Sequence, residues 1–241
     1  MMRYLFLCIV ILLSFSVQAM TGFGSIIIAV TLGSLFFPIK SILPILVLLD
    51  FSLNMYIVTR YRKHVDYALL VKKILPAMLI GLLAGQVVFN TIGAESKRLF
   101  GGLIVFLSVF ELYNFYTENT ERLTHAKSFL FLIGAGIIHG IYASGGPLVV
   151  YVIGRLGIGK ATFRSTLGFL WVIMDSFLMA SYLLTGILNY HVGLITLFIA
   201  PVVMAGLVIG EVLHVRINEK GFKKVIYYLL LFTGLSILIF G

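Results

Sequence analysis

The chain has 241 residues, 61% of them hydrophobic and only 11% charged, with a mean hydropathy of +1.11. Soluble domains carry about 25% charged residues, so this composition leaves too little polar surface to cover a soluble fold. The net charge of +9 sits in short clusters between apolar runs. No basic, aromatic-studded platform of the kind single strands need is present, which argues against nucleic-acid binding.

Apolar runs at 4–20, 24–37, 41–59, 68–90 and 98–115, then 127–142, 147–156, 164–186, 190–212 and 222–240, predict an all-α polytopic membrane protein. The first run has a basic start, an apolar centre and a Val17-Gln18-Ala19 end, like a cleaved signal peptide covering residues 1–19. The single Cys8 lies inside that run and permits no intramolecular disulfide. Most segments are long enough to cross about 30 Å of hydrocarbon at 1.5 Å per residue. The runs 25–37 and 147–156 are too short, at roughly 20 and 15 Å. Each follows a glycine break, at Gly22-Phe23-Gly24 and Gly145-Gly146.

Basic residues report how the segments thread the membrane. If 4–37 and 127–156 are single broken crossings, the 18 Lys and Arg divide 8 to 10. If each is a hairpin returning to its starting side, they divide 4 to 14, with Arg3, Lys40, Lys97 and Arg98 as the four. The positive-inside rule favours hairpins and places both termini outside.

The chain also repeats itself. "PAMLIGLLAGQ" (76–86) matches "PVVMAGLVIGE" (201–211), pairing Pro76 with Pro201, Gly81 with Gly206, Gly85 with Gly210 and Gln86 with Glu211 at an offset of 125. The same offset carries Asp50 to Asp175 and Ile92 to Ile217, and an offset of 122 carries Gly24 to Gly146. The expected organisation is a first repeat over 1–115, an inside linker at 116–126 and a second repeat over 127–241. Each repeat is a broken or re-entrant hairpin (4–37; 127–156) plus three crossings, about eight membrane segments in all. Three crossings are an odd number, so the second copy enters inverted, as in many secondary transporters with midplane substrate sites. Residues 4–20 then correspond to 127–142, which argues for retaining them rather than cleaving them as a signal.

A helix broken inside the membrane exposes backbone N–H groups at the new helix start, where the dipole is positive. Two such starts, at Ser25 and Pro147, facing one another across a pseudo-two-fold axis, predict an anion site. Gly22, Gly24, Gly145 and Gly146 would let substrate approach the backbone, with Thr21, Ser25 and Ser144 as hydroxyl donors. The competing reading is that these glycines serve close helix packing.

Asp50 and Asp175 fall near the centres of their segments, where an ionisable group suggests function. They are the proton-coupling candidates, with Asn54 one turn from Asp50 and His139 just before the second break. The competing role is structural, as buried hydrogen-bonding groups. Glu111 and Glu211 sit toward helix ends, where snorkelling or ion pairing accounts for them. "GRLGIGKAT" (154–162) nearly spells a phosphate-binding loop, but Ala161 stands where the magnesium-binding hydroxyl belongs. No metal-ligand spacing or nucleophile–base pair is evident, so neither cofactor nor catalytic residue is expected. Arg60, Arg62, Lys63 and His64 suit contact with anionic lipid.

The "TGFGS" and "ASGGPLVV" breaks, the charged loop between helices and the Pro-x4-Gly-x3-Gly helix resemble the sulfite exporter TauE/SafE family over about residues 15–240. That resemblance implies a carrier of small sulfur-containing anions, sulfite or an organosulfonate, coupled to protons. It points to Gly22, Gly24, Ser25, Ser144, Gly145 and Gly146. The family often has a further glycine where Ser25 stands, which leaves the pore shape and substrate open. The expected protein is a multi-pass secondary transporter of a bacterial-type inner membrane with periplasmic termini, and a homodimer is among the assemblies its sequence allows. The alternative is an intramembrane enzyme or assembly factor acting on a lipid or membrane protein, which would gather its polar groups at one membrane face.

Overall fold

A computed structural model of the chain describes residues 2–33, 36–88, 95–117 and 123–240. Ile92 and positions 118–122 of the predicted linker lie outside the described residues, as do the side chains of Arg3, Lys40, Lys97 and Arg98. The described residues are almost entirely helical: α1 Met2–Thr21, α2 Ser25–Gly33, α3 Ile39–Tyr61, α4 Tyr67–Leu69, α5 Leu75–Val88, α6 Glu95–Tyr116, α7 His125–Tyr142, α8 Gly146–Gly154, α9 Lys160–Leu184, α10 Tyr190–Arg216 and α11 Glu219–Phe240. A single π turn, Leu70–Ile74, joins α4 to α5. Pro76 follows it and has no N–H for the carbonyl of Lys72, and a widened turn absorbs that loss.

Each predicted segment carries a helix among its described residues, and the backbone leaves helical geometry at both predicted breaks. Among the described residues, five helices are long and apolar enough to cross a membrane: Ser41–His64, Tyr67–Val87, Lys160–Leu184, Tyr190–Arg216 and Glu219–Ile239. Leu5–Thr21 and Ile104–Tyr116 are shorter apolar helices. The protein is a multi-pass helical membrane protein.

The helices gather into two compact units that interleave the chain. One comprises Met1–Asp66 with Arg164–Arg216, the other Tyr67–Phe163 with Ile217–Gly241. Each unit draws helices from both halves of the sequence.

The first unit is built on α1 packed along α10. Gly206 and Gly210 supply the close approach: a Cβ on Gly206 would meet the Leu12 carbonyl, and one on Gly210 would meet the Ser16 carbonyl and the Ala19 methyl. Helices in lipid gain no hydrophobic drive toward each other, so such small-residue seams supply the attraction through contact itself. Helices α2 and α3 pack beside α1.

The second unit is built on α5 against α7, where glycines line both sides. Gly81 and Gly85 lie against the carbonyls of Ile133 and Ile137, while Gly136 and Gly140 lie against those of Met78 and Leu82. A separate seam joins α6 to α11 through Gly101 and Gly234, each placed over the other helix's backbone. The carboxylate of Glu111 on α6 pairs with Arg155, whose Nε donates to it at 2.5 Å. The Arg155 guanidinium also lies 4.9 Å from the Tyr151 ring centre. At the start of α9 the Lys160 N–H donates to the Glu219 carboxylate at 2.9 Å.

Candidate functional site

The first break is a tight reversal made by two glycines. Helix α1 ends at Thr21, Gly22 and Gly24 take φ of +89° and +106°, and α2 starts at Ser25. Both φ values lie in the region that side chains disfavour. Gly22 faces a second constraint, since a Cβ there would come within 3.0 Å of the Arg164 backbone. Trp171 on α9 fastens the turn, its indole N–H donating to the Gly22 carbonyl at 2.8 Å.

Beneath the turn four side chains close a ring of hydrogen bonds. The Ser25 N–H donates to Gln18 Oε1 at 3.2 Å, and Gln18 Nε2 donates to Asn54 Oδ1 at 3.2 Å. Asn54 Nδ2 in turn donates to Asp50 Oδ2 at 2.7 Å, and the Ser25 hydroxyl donates to Asp50 Oδ1. Both oxygens of Asp50 therefore accept a neutral donor, which is how a buried carboxylate is tolerated. Gln18, Ser25, Asp50 and Asn54 are all at most 3% exposed. Asp175 on α9 is fully buried in the same unit, and its carboxyl interacts with that of Asp50. Two ionised carboxylates buried side by side would repel, which favours a proton on one of them.

The sequence-predicted residues thus divide. Ser25, Asp50, Asn54 and Asp175 come together in the first unit. The hydroxyl of Thr21 donates within the turn, to the carbonyls of Val17 at 2.8 Å and Phe23 at 2.9 Å. The amide at the start of α2 is held by Gln18, which sequence reasoning passed over as part of an apolar run. Its signal was a polar side chain in the last turn before the glycine break, seven positions ahead of Ser25. Trp171 and Arg164 were also missed as partners of the break.

The second break belongs to the other unit and is built differently. Helix α7 ends at Tyr142, and Ala143, not a glycine, takes the left-handed turn at φ +51°. Its N–H donates to the His139 carbonyl at 2.8 Å, and the Ser144 hydroxyl donates to the Tyr142 carbonyl at 2.8 Å. A non-glycine residue there costs about 1–2 kcal/mol. Gly145 answers to packing: a Cβ would meet the Ala135 carbonyl and the Cβ of His139, itself buried. Helix α8 opens with Gly146 and Pro147. Its N-cap, Gly145, supplies no side-chain acceptor, so the amides of Gly146 and Leu148 stand at a helix start without an intrahelical carbonyl.

The sulfite exporter TauE/SafE family matches residues 7–237, nearly the whole chain. The chain belongs to that family. No curated protein and no solved structure shows significant similarity to it. Membership in TauE/SafE makes the protein a membrane anion exporter with sulfite as the family's named substrate, and not an enzyme. The match spans both glycine breaks and both buried aspartates.

Proposed function

We propose that this TauE/SafE protein is a secondary carrier of sulfite or a similar sulfonate, coupled to protons and working by alternating access. Its two breaks divide the labour. The start of α8 takes the anion on the Gly146 and Leu148 amides, with the dipole favouring negative charge. The Asp50–Asp175 pair carries the proton. The observation behind this assignment is the closed ring at the first break, where Gln18 takes the Ser25 amide and Ser25 and Asn54 commit their donors to Asp50. At that start the Ser25 amide is held by Gln18 and the Ser25 hydroxyl by Asp50, while the α8 N-cap supplies no such partner.

The reading includes two inverted repeats, which matching seams support. Gly206 and Gly210 of α10 meet the Leu12 and Ser16 carbonyls of α1, as Gly81 and Gly85 of α5 meet those of Ile133 and Ile137 of α7. The glycines correspond at an offset of 125 and the carbonyls at 121. We place the protein in a bacterial-type inner membrane with periplasmic termini, because that orientation leaves 14 of 18 basic residues inside.

In one cycle the anion loads on α8, the acid pair takes up a proton, and the carrier reorients. Loading the proton with the anion lowers the charge carried between sides. Flux into proteoliposomes tests this directly, with sulfite and an organosulfonate whose charge is fixed across the pH range. Acid outside should raise initial uptake of both several-fold over symmetric pH, and a protonophore should remove the gain. Protein-dependent uptake that ignores the gradient would refute the coupling; absence of uptake for both anions would refute the transport reading.

A further inference from the structure

We propose that Arg164 is a second anion-binding side chain, occupied in this structure by the Glu211 carboxylate, which an incoming oxyanion replaces. The proposal rests on the transport reading above and adds a station to it.

Arg164 is 2% exposed and is the largest of the fully buried side chains. A guanidinium stays charged, and burying it is costly even when it is paired. Replacing a buried ion pair by apolar residues is often neutral or stabilising, so stability alone is a weak reason to keep one. Its setting is a small cluster within the first unit. Nη2 donates to Glu211 Oε1, the guanidinium lies 4.8 Å from the Tyr61 ring centre, and the Tyr61 hydroxyl donates to Glu211 Oε2. One turn on, His214 Nδ1 contacts the Met20 carbonyl at 2.7 Å.

The informative atom is Nε. Among the described residues, Arg164 Nε is buried and has no hydrogen-bond partner. Arg155, which is also paired to a glutamate, spends its Nε on Glu111 at 2.5 Å. The Nε and Nη2 edge of arginine is a fork that matches two oxygens of one anion. Glu211 fills one tine and gives its other oxygen to Tyr61. Sulfite or a sulfonate presents two oxygens to both tines, whereas a halide offers one atom.

Exposure gives the direction of approach. The Glu211 side chain is 21% exposed while that of Arg164 is 2%, so the carboxylate is the outer member of the pair. Behind it, the Arg164 backbone lies against Gly22 in the first break. An anion exchanged onto Arg164 is therefore one contact from the turn that carries Gln18 and, through it, Asp50.

Calorimetric titration of the purified full chain with sodium sulfite, with chloride as comparator, tests the assignment. Glu211→Gln should bind sulfite at least tenfold more tightly than wild type, with little change for chloride. The neutral double variant Arg164→Gln/Glu211→Gln, which leaves no lone buried charge, should lose that gain. If Glu211→Gln does not fold, Glu211→Asp, which withdraws the carboxylate by one methylene, should show a smaller gain that Arg164→Gln again removes. Equal sulfite affinity with and without Arg164 overturns the proposal. Wild-type flux separates the two readings. Uptake without any Arg164 dependence of binding defeats only this inference. Arg164-dependent binding without uptake defeats only the transport reading.

Discussion

Replacing Gly210 with valine is expected to leave little folded protein. A Cβ at that position would fall on the Ala19 methyl, the Ser16 carbonyl and the Met20 amide, and the last two are backbone atoms that cannot turn aside. Valine adds two further methyls, and overpacking of this kind costs about 1–3 kcal/mol or more. Because the α1–α10 seam organises its unit, separating those helices also disturbs the first break at the end of α1. Gly193 on the same helix is the control, since a Cβ there would meet nothing within 4 Å. Thermal melting in detergent should show Gly193→Ala unchanged and Gly210→Val strongly destabilised or aggregated. Equal melting of the two would mean that the seam does not hold the unit.

Asp50→Ala is expected to cost several kcal/mol of stability, and Asp50→Asn far less. Removing the carboxyl strands the Ser25 hydroxyl and an Asn54 amide hydrogen in a buried site. Each unsatisfied buried donor costs about 1–3 kcal/mol. Asparagine keeps one acceptor oxygen and the volume, so one donor is stranded instead of two. The comparison is again thermal melting, with Asp50→Ala well below Asp50→Asn. An alanine variant that melts with wild type would remove the ring from any structural role and leave Asp50 purely functional.

The sequence displayed its segments well because apolar length and punctuation are local properties. Both breaks were legible from Gly22-Phe23-Gly24 and Gly145-Gly146, and the Pro-x4-Gly-x3-Gly pattern marked Gly81, Gly85, Gly206 and Gly210. What those glycines touch was not legible. In a membrane protein the lipid-facing and protein-facing sides are both apolar, so α1 carries no label naming α10 as its partner. The same blindness hid the interleaving of the two units. Arg164 was counted as a loop charge at the edge of a segment, but α9 starts four residues earlier, at Lys160, and draws it inside. Gln18 was hidden by its neighbours, because one amide in a run of twenty residues barely changes the hydropathy. At the second break the glycines were read as letting substrate approach the backbone, with close packing as the competing reading; Ala143 makes the left-handed turn, and a Cβ on Gly145 would meet α7. Glu111 and Glu211 were read as snorkelling or ion-paired, and both are ion-paired, to arginines the sequence did not name.

The division of labour between the breaks is tested most directly by separating exchange from accumulation. Asp50→Asn and Asp175→Asn, each reconstituted and compared with wild type, should still exchange labelled sulfite across the bilayer at equal concentrations. Neither should accumulate it when the outside is made acid, because neither pair can hold and release the shared proton. Accumulation at the wild-type level by both variants would contradict the account and send the coupling proton elsewhere in the protein.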